Sequence, residues 1–420
     1  MKKQLVFFAL ILFVLQANSQ PVSTDYPYNI NTTFNGNPAI QMGIAWFTNA
    51  SVTGGVVQIV EGKWAESATF SGAREIPAVC VAVDSLPYRA GEKRSYTSNK
   101  VLIDQLYPNT TYSYRVGKEG AWSPVGRFTT ASLDREPFDF IYITDTQADT
   151  DEHFDISKKT IEAAYQCVPG ARFVLMTGDH VDSAGARSAE WEWEQWFEKM
   201  QNVWLQLPIA TTQGNHDSSP FGNLFHHFNI ETNFGETIYS FVYGDALFLV
   251  LSYEGYRKGD SFFSDLESWM RQQIAQNPDL TWRIAAFHKT MFTGAAHQND
   301  ADGRIVRERM APLFKELGID LAIQGHDHVY EVIESDGVLY FVNNSAGKKK
   351  YYPHTKEQME ADFSKHGVND YFGLFKKLEQ TGEPTFSHIT VSTSAIYVST
   401  YAVSGTGETT LLDTFTIQKH

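Results

Sequence analysis

Five apolar segments of this chain each run directly into a cluster of Asp, Asn, Gln or His, and no other feature constrains the fold as strongly. Residues 138–144 lead to Asp145-Thr146-Gln147, and residues 172–176 to Gly178-Asp179-His180-Val181-Asp182. Residues 208–212 lead to Gly214-Asn215-His216-Asp217, 282–287 to His288, and 319–323 to Gly325-His326-Asp327-His328. Helical spacing occupies 156–166, 189–204, 264–275 and 305–317, and further strands are expected at 247–251 and 338–342. Strands alternating with helices predict a layered α/β domain. In such sheets the carboxyl ends of the strands converge on one crevice, where ligands bind. Two carboxylates (Asp145, Asp179), two amides (Gln147, Asn215) and four imidazoles (His216, His288, His326, His328) are thereby directed to one place. Those donors suit Zn, Mn or Fe, and they are too many for one ion and enough for two.

Before residue 131 the rhythm differs. Runs such as 40–47, 56–60 and 101–103 read as short strands separated by turns, with no helical period between them, which predicts a β-sandwich. Its Leu106-Tyr107-Pro108-Asn109-Thr110-Thr111-Tyr112-Ser113-Tyr114 run resembles the tyrosine-corner segment of a fibronectin type III-like domain, with Trp46 as core tryptophan. The expected division is a sandwich over 20–131 and a catalytic α/β domain over 132–420, with the strand-like tail at 389–401 and 413–417 extending a sheet.

Residues 1–19 read as a signal peptide: Lys2 and Lys3, an apolar stretch from Leu5 to Leu15, then Ala17-Asn18-Ser19 as small residues for cleavage. The apolar stretch is shorter than the ~20 residues that span a bilayer, so the expectation is export to the periplasm or medium with no transmembrane segment left behind. The chain carries a formal charge of −15 and no basic run longer than Lys348-Lys349-Lys350, which disfavours binding to a nucleic-acid backbone. That lysine run reads as a solvated turn in preference to an anion entrance. Cys80 and Cys167, in different domains, are expected to be free and buried.

The five clusters in this order resemble the calcineurin-like metallophosphoesterase family, whose signature is D-x-H, G-D-x-x-D, G-N-H-[DE], a lone H and G-H-x-H. The preceding sandwich extends the resemblance to the purple acid phosphatases, and the fold it implies is a four-layer α/β/β/α catalytic domain. The resemblance implies that Asp145, Gln147 and His328 bind one metal, that Asp179 bridges, and that Asn215, His288 and His326 complete the second. It implies His216 as leaving-group acid, with Asp217 orienting its imidazole. Asn215 and His297 are the candidates for touching substrate phosphate. His180, His226 and His227 fall at no family position and read as structural. Two departures stand out. Gln147 replaces the usual His, and an amide oxygen is a weaker, harder donor that favours Mn over Zn. Asp182 stands where purple acid phosphatases carry the iron-binding Tyr, so a colourless, di-divalent centre is expected.

The function implied is hydrolysis of a small phosphorylated substrate. A hydroxide bridging two divalent ions is the nucleophile, and His216 protonates the leaving oxygen. A phosphomonoesterase is expected first. A phosphodiesterase or nucleotide hydrolase on the same site is the nearest alternative, and a degenerate domain binding a phosphorylated ligand or glycan is the alternative from another class. P-loop, zincin and serine-esterase signatures are absent from the chain.

Overall fold

The computed structural model describes residues 25–62, 70–183, 189–218 and 222–419. The expected signal peptide and most of the loop following Asp182 lie outside the described residues.

Two sheets stacked face to face form the catalytic region. One includes Phe138–Ile143, Ala171–Met176 and Ile209–Thr211 in parallel, flanked by the antiparallel carboxyl-terminal strands Thr385–Val391, Ala395–Val403 and Thr409–Gln418. The other runs in the order Tyr239–Tyr243, Ala246–Val250, Trp282–Ala286, Leu321–Gln324, Val338–Val342, Tyr330–Ser335, Phe375–Glu379. Burial on both faces explains why the central strands are apolar at most positions. Phe140 and Tyr142 point between the sheets, while Ile141 and Ile143 meet the helices Asp151–Cys167 and Ala189–Trp204. Asp260–Gln276 and Ala301–Leu317 cover the outer face of the second sheet, which completes the four layers.

The amino-terminal region is all-β. Trp46 is fully buried in its core, and the Tyr112 hydroxyl accepts from the Tyr107 amide at 2.8 Å, the hydrogen bond of a tyrosine corner. This region is less separate than the sequence pattern suggests. Tyr28–Thr33 pairs in parallel with the catalytic strand Ile209–Thr211 through Thr33 and Ile209. Among the described residues one ten-stranded sheet therefore runs from the carboxyl terminus through the catalytic strands and on through Met42–Asn49, Lys93–Ile103 and Val79–Pro87. The core is continuous as well: Trp46 and Tyr114 belong to the same cluster as Phe140, Phe248 and Phe341.

Three expectations need adjusting. Both cysteines are free, as expected, but half-buried. The loop expected over 351–373 contains a helix, Lys356–His366. Its apolar period is faint because only Met359 and Phe363 are buried, yet a capping box between Thr355 and Gln358 starts it. The strands Tyr239–Tyr243, Tyr330–Ser335 and Phe375–Glu379 were not anticipated either.

Phe34, 1% exposed, leaves the sandwich and packs its ring against Phe173, Phe241 and Tyr243 of both catalytic sheets. Phe34→Ala is expected to cost about 3–5 kcal/mol. Chemical denaturation followed by tryptophan fluorescence should show a lower midpoint and still a single transition, because both regions share one core.

Candidate metal centre

Each cluster sits where its strand stops, and at three of the five the turn that stops it is unusual. Asp145, Gln147, Asp179, His326 and His328 all have left-handed backbone, with φ of 54°, 30°, 52°, 77° and 40°. Non-glycine residues are held in that region only where the surroundings over-determine them, and such positions concentrate at functional sites. Neighbouring glycines make the packing feasible. A Cβ on Gly214 would collide with the Asp179 carboxylate, and one on Gly325 with the Thr144 hydroxyl.

The structure brings the candidate ligands together. His288 Nε2 lies 3.0 Å from Asn215 Oδ1, 3.2 Å from Asp179 Oδ2 and 3.2 Å from His326 Nδ1. His328 Nε2 lies 3.2 Å from Asp145 Oδ1. The two groups are stitched together by the His326 amide donating to Asp145 Oδ2 at 2.9 Å and the Gln147 amide donating to the Asp179 carbonyl at 3.0 Å. His288 is aimed by its other nitrogen, since Nδ1 lies 2.8 Å from the Thr177 carbonyl, which can only accept. Thr144 Oγ1 donates to Asp145 Oδ2 at 2.6 Å, and Ser345 Oγ to the Asp145 carbonyl at 2.5 Å.

Electrostatics follow from burial and crowding. Burial opposes charge on His288, but the Asp179 and Asp145 carboxylates outweigh it and raise the imidazole to about 9. Asp179 is buried too, and the His288 imidazolium still holds it well below the usual carboxylate range. Asp145 is buried as well, and the neighbouring His328 lowers it. His326 is pushed far down, first by burial and then by its charged neighbour His288. A cation entering this cluster therefore displaces a proton from His288.

The donors fit such cations. Gln147 Oε1 and His328 Nδ1 are buried without a hydrogen-bond partner, and Asp179, His288 and His326 offer ligand atoms within 4.8 Å of one another. Buried acceptors without donors call for an ion or a water. Carboxylate, amide and imidazole in this mixture suit divalent Mn, Zn or Fe.

Two further candidates behave differently from each other. The His297 ring stacks on His326 at 4.0 Å, and its Nδ1 lies 2.7 Å from Asp300 Oδ2, so the geometry puts it at the rim. Asp217 turns away from His216. Its carboxylate accepts from the amides of His180 and Gly214 at 2.9 Å and meets His180 Nδ1 at 2.9 Å. His216 Nδ1 instead lies 2.5 Å from the Asp182 carbonyl. The expectation that Asp217 orients His216 is corrected accordingly: sequence neighbours at a tight turn point to opposite sides.

Sequence reasoning missed the outer supports. Glu192 on the helix Ala189–Trp204 accepts from the amides of Asp182 and Ser183 at 3.1 and 2.8 Å, fixing the turn that holds His216. Trp196 Nε1 donates to Thr146 Oγ1 at 3.1 Å. Lys349, read as part of a solvated turn, reaches back to the Asp182 carboxylate. The tryptophan period was legible; the polar tips were not.

His180 and Asp217 are both buried, and His180 Nε2 also meets Thr211 Oγ1 at 2.7 Å. Asp217→Ala is expected to destabilise the protein by about 3–5 kcal/mol, the cost of leaving a buried partner unpaired. Urea unfolding of the metal-free protein reads this directly.

Comparison with known proteins agrees with the geometry. Residues 27–130 match the purple acid phosphatase N-terminal domain, and residues 138–330 match calcineurin-like phosphoesterase. Probable purple acid phosphatase 20 of Arabidopsis thaliana is 26% identical over 308 residues, covering 69% of this chain and 66% of that protein. Purple acid phosphatase 23 of the same plant is 22% identical over 351 residues, covering 74% and 75%. The solved structure of PhoD superposes with a TM-score of 0.66 at 13% identity, covering 95% of this chain and 92% of its own, a likeness of fold. The matched segments thus lie in order along the chain, a purple acid phosphatase N-terminal domain and then a calcineurin-like phosphoesterase segment that carries the clustered donors, and the chain spans 61–66% of the length of the first curated relatives it matches.

Proposed function

We propose that the chain is an exported, dinuclear-metal phosphohydrolase that acts first on phosphomonoesters, with His216 as the acid for the leaving oxygen. The observation that carries this reading is the cluster of Asp179, Asn215, His288 and His326 in mutual contact beside Asp145 and His328. Two divalent ions held there supply an acidified water and neutralise charge gathering on the phosphoryl oxygens.

This chain's own residues do the remainder. With Oδ1 turned to His288, the Asn215 amide keeps its N–H donors for a phosphoryl oxygen. His297, stacked over His326, offers a second donor at the rim. The Asp182 carbonyl fixes the proton on His216 Nδ1, so Nε2 is the atom that passes a proton to the departing oxygen. The His216 side chain is 33% exposed, which leaves the alcohol product a way to water. Preference for monoesters is supported by the purple acid phosphatase relatives. Gln147 favours Mn among the candidate ions. Asp182, whose carboxylate pairs with Lys349, supports a colourless centre.

Loaded with Mn²⁺, the protein should release phosphate from an alkyl phosphomonoester, and His288→Ala should abolish turnover. His216→Ala should lower kcat by ~10²–10⁴-fold on that substrate and far less on a nitrophenyl ester, whose leaving group needs no proton. Equal losses on both esters would remove His216 from the acid role. Turnover of diesters alone would shift the reading to a phosphodiesterase. Export has its own test: the amino-terminal sequence of protein recovered outside the cytoplasm should begin at Gln20.

A further inference from the structure

The segment after Val338–Val342 is fastened to the metal centre at both ends. At its start the Gly347 amide donates to Ser345 Oγ at 2.9 Å, and Ser345 holds the Asp145 carbonyl. Gly347 itself fits because a Cβ would collide with the Thr146 carbonyl. Farther on, Gln380 Nε2 donates to the carbonyls of both Tyr351 and His328, at 2.7 and 2.8 Å, and the His354 amide donates to Gly294 at 2.7 Å. Between these anchors the side chains alternate. Lys348 and Lys350 turn outward, to His153 and to the Gly382 carbonyl. Lys349 and Tyr351 turn inward, and the Tyr351 ring packs on His328 at 4.7 Å and on His297 at 5.3 Å.

Lys349 ends on the Asp182 carboxylate, whose Oδ1 is 3.8 Å from His216 Nδ1. One carboxylate oxygen thus separates an ammonium from the leaving-group acid. The other lysine near the centre, Lys289, is 5% exposed and spent on Asp302 and Glu254. Lys349 keeps 37% of its side chain in solvent. It stands within one carboxylate of His216, in a chain whose formal charge is −15.

We propose that Lys349 is a specificity-determining residue that favours substrates whose leaving group carries its own negative charge close to the scissile oxygen, a terminal diphosphate above all. This rests on the phosphohydrolase reading and on His216 as acid. In the favoured reaction water adds to the terminal phosphorus and the bond to the bridging oxygen breaks. The electron pair leaves with that oxygen, which stays on the departing inner phosphate, and the attacking water gives up a proton to solvent. Such a leaving group needs less protonation and more charge neutralisation, which a lysine supplies and an imidazole alone does not. A phosphate dianion outcompetes the single charge of Asp182 for the ammonium. Tyr351, on the same inward face, covers the imidazoles of His328 and His297.

The test compares ADP with AMP, which share a nucleoside and differ in the charge of the leaving group. Lys349→Met should lower the ratio of kcat/KM for ADP over AMP about tenfold, or about 1.4 kcal/mol, and Lys349→Arg should restore most of it. Asp182→Asn, which frees the lysine, should leave the ratio at or above the wild-type value. An unchanged ratio in Lys349→Met overturns the proposal, as does a lowered ratio in Asp182→Asn, which would make the pair a structural latch. Calorimetry with pyrophosphate and orthophosphate on the Mn²⁺-loaded proteins reads the same preference without turnover. A tenfold loss of pyrophosphate selectivity in Lys349→Met, in a protein that hydrolyses neither nucleotide, would keep the subsite and reject the phosphohydrolase reading instead.

Discussion

Everything around the centre serves one contact: His288 Nε2 held at 3.0–3.2 Å from a buried carboxylate, a buried second imidazole and the half-buried amide oxygen of Asn215. Burying an uncompensated charge is among the most costly things a protein can do, so such a contact persists only inside a scaffold stiff enough to enforce it. The scaffold here is a pair of stacked sheets whose strand ends deliver the polar groups through left-handed turns. The strain of those turns is held by ordinary apolar packing between the sheets, where Phe140, Phe173 and Phe248 meet within 5.0–5.6 Å.

A second organising element is the helix Ala189–Trp204. Its acidic residues face three ways. Glu192 clamps the turn under His216, and its burial pushes the carboxyl up to about 7. Glu194 accepts from Tyr88 and Tyr96 of the sandwich at 2.7 and 3.2 Å. Glu190 pairs with His227 at 3.1 Å, both fully buried, beneath a ring stacked on Phe47 of the sandwich at 4.3 Å. The helix that steadies the centre is thus also what the amino-terminal region leans on. That gives the sandwich a physical stake in the site.

Much of this was legible in the sequence because the signals are strong ones. An apolar run buried on two faces announces a strand, and the Asp, Asn or His that follows it marks where the strand ends. Asp145, Asp179, Asn215, His288, His326 and His328 were found that way, and the structure gathers them. What escaped depends on direction and not on residue type. Nothing in Asn215-His216-Asp217 says that the last side chain faces His180. Nothing in Lys348-Lys349-Lys350 says which lysine turns inward. The helix Lys356–His366 buries too little to leave a period. The merging of two sheets through Thr33 and Ile209 is a pairing between distant strands, to which local pattern is blind.

The sheet order has a consequence for how the chain is made. Phe138–Ile143, which carries Asp145, is hydrogen-bonded on one side to Ala171–Met176 and on the other to Thr385–Val391. During synthesis that strand waits with one edge open until nearly the whole polypeptide has emerged. Tyr28–Thr33 likewise waits for Ile209–Thr211 before its own sheet can close. Pairings so remote in sequence are slow to form and leave unpaired edges exposed meanwhile. The chain is built to mature late and all at once.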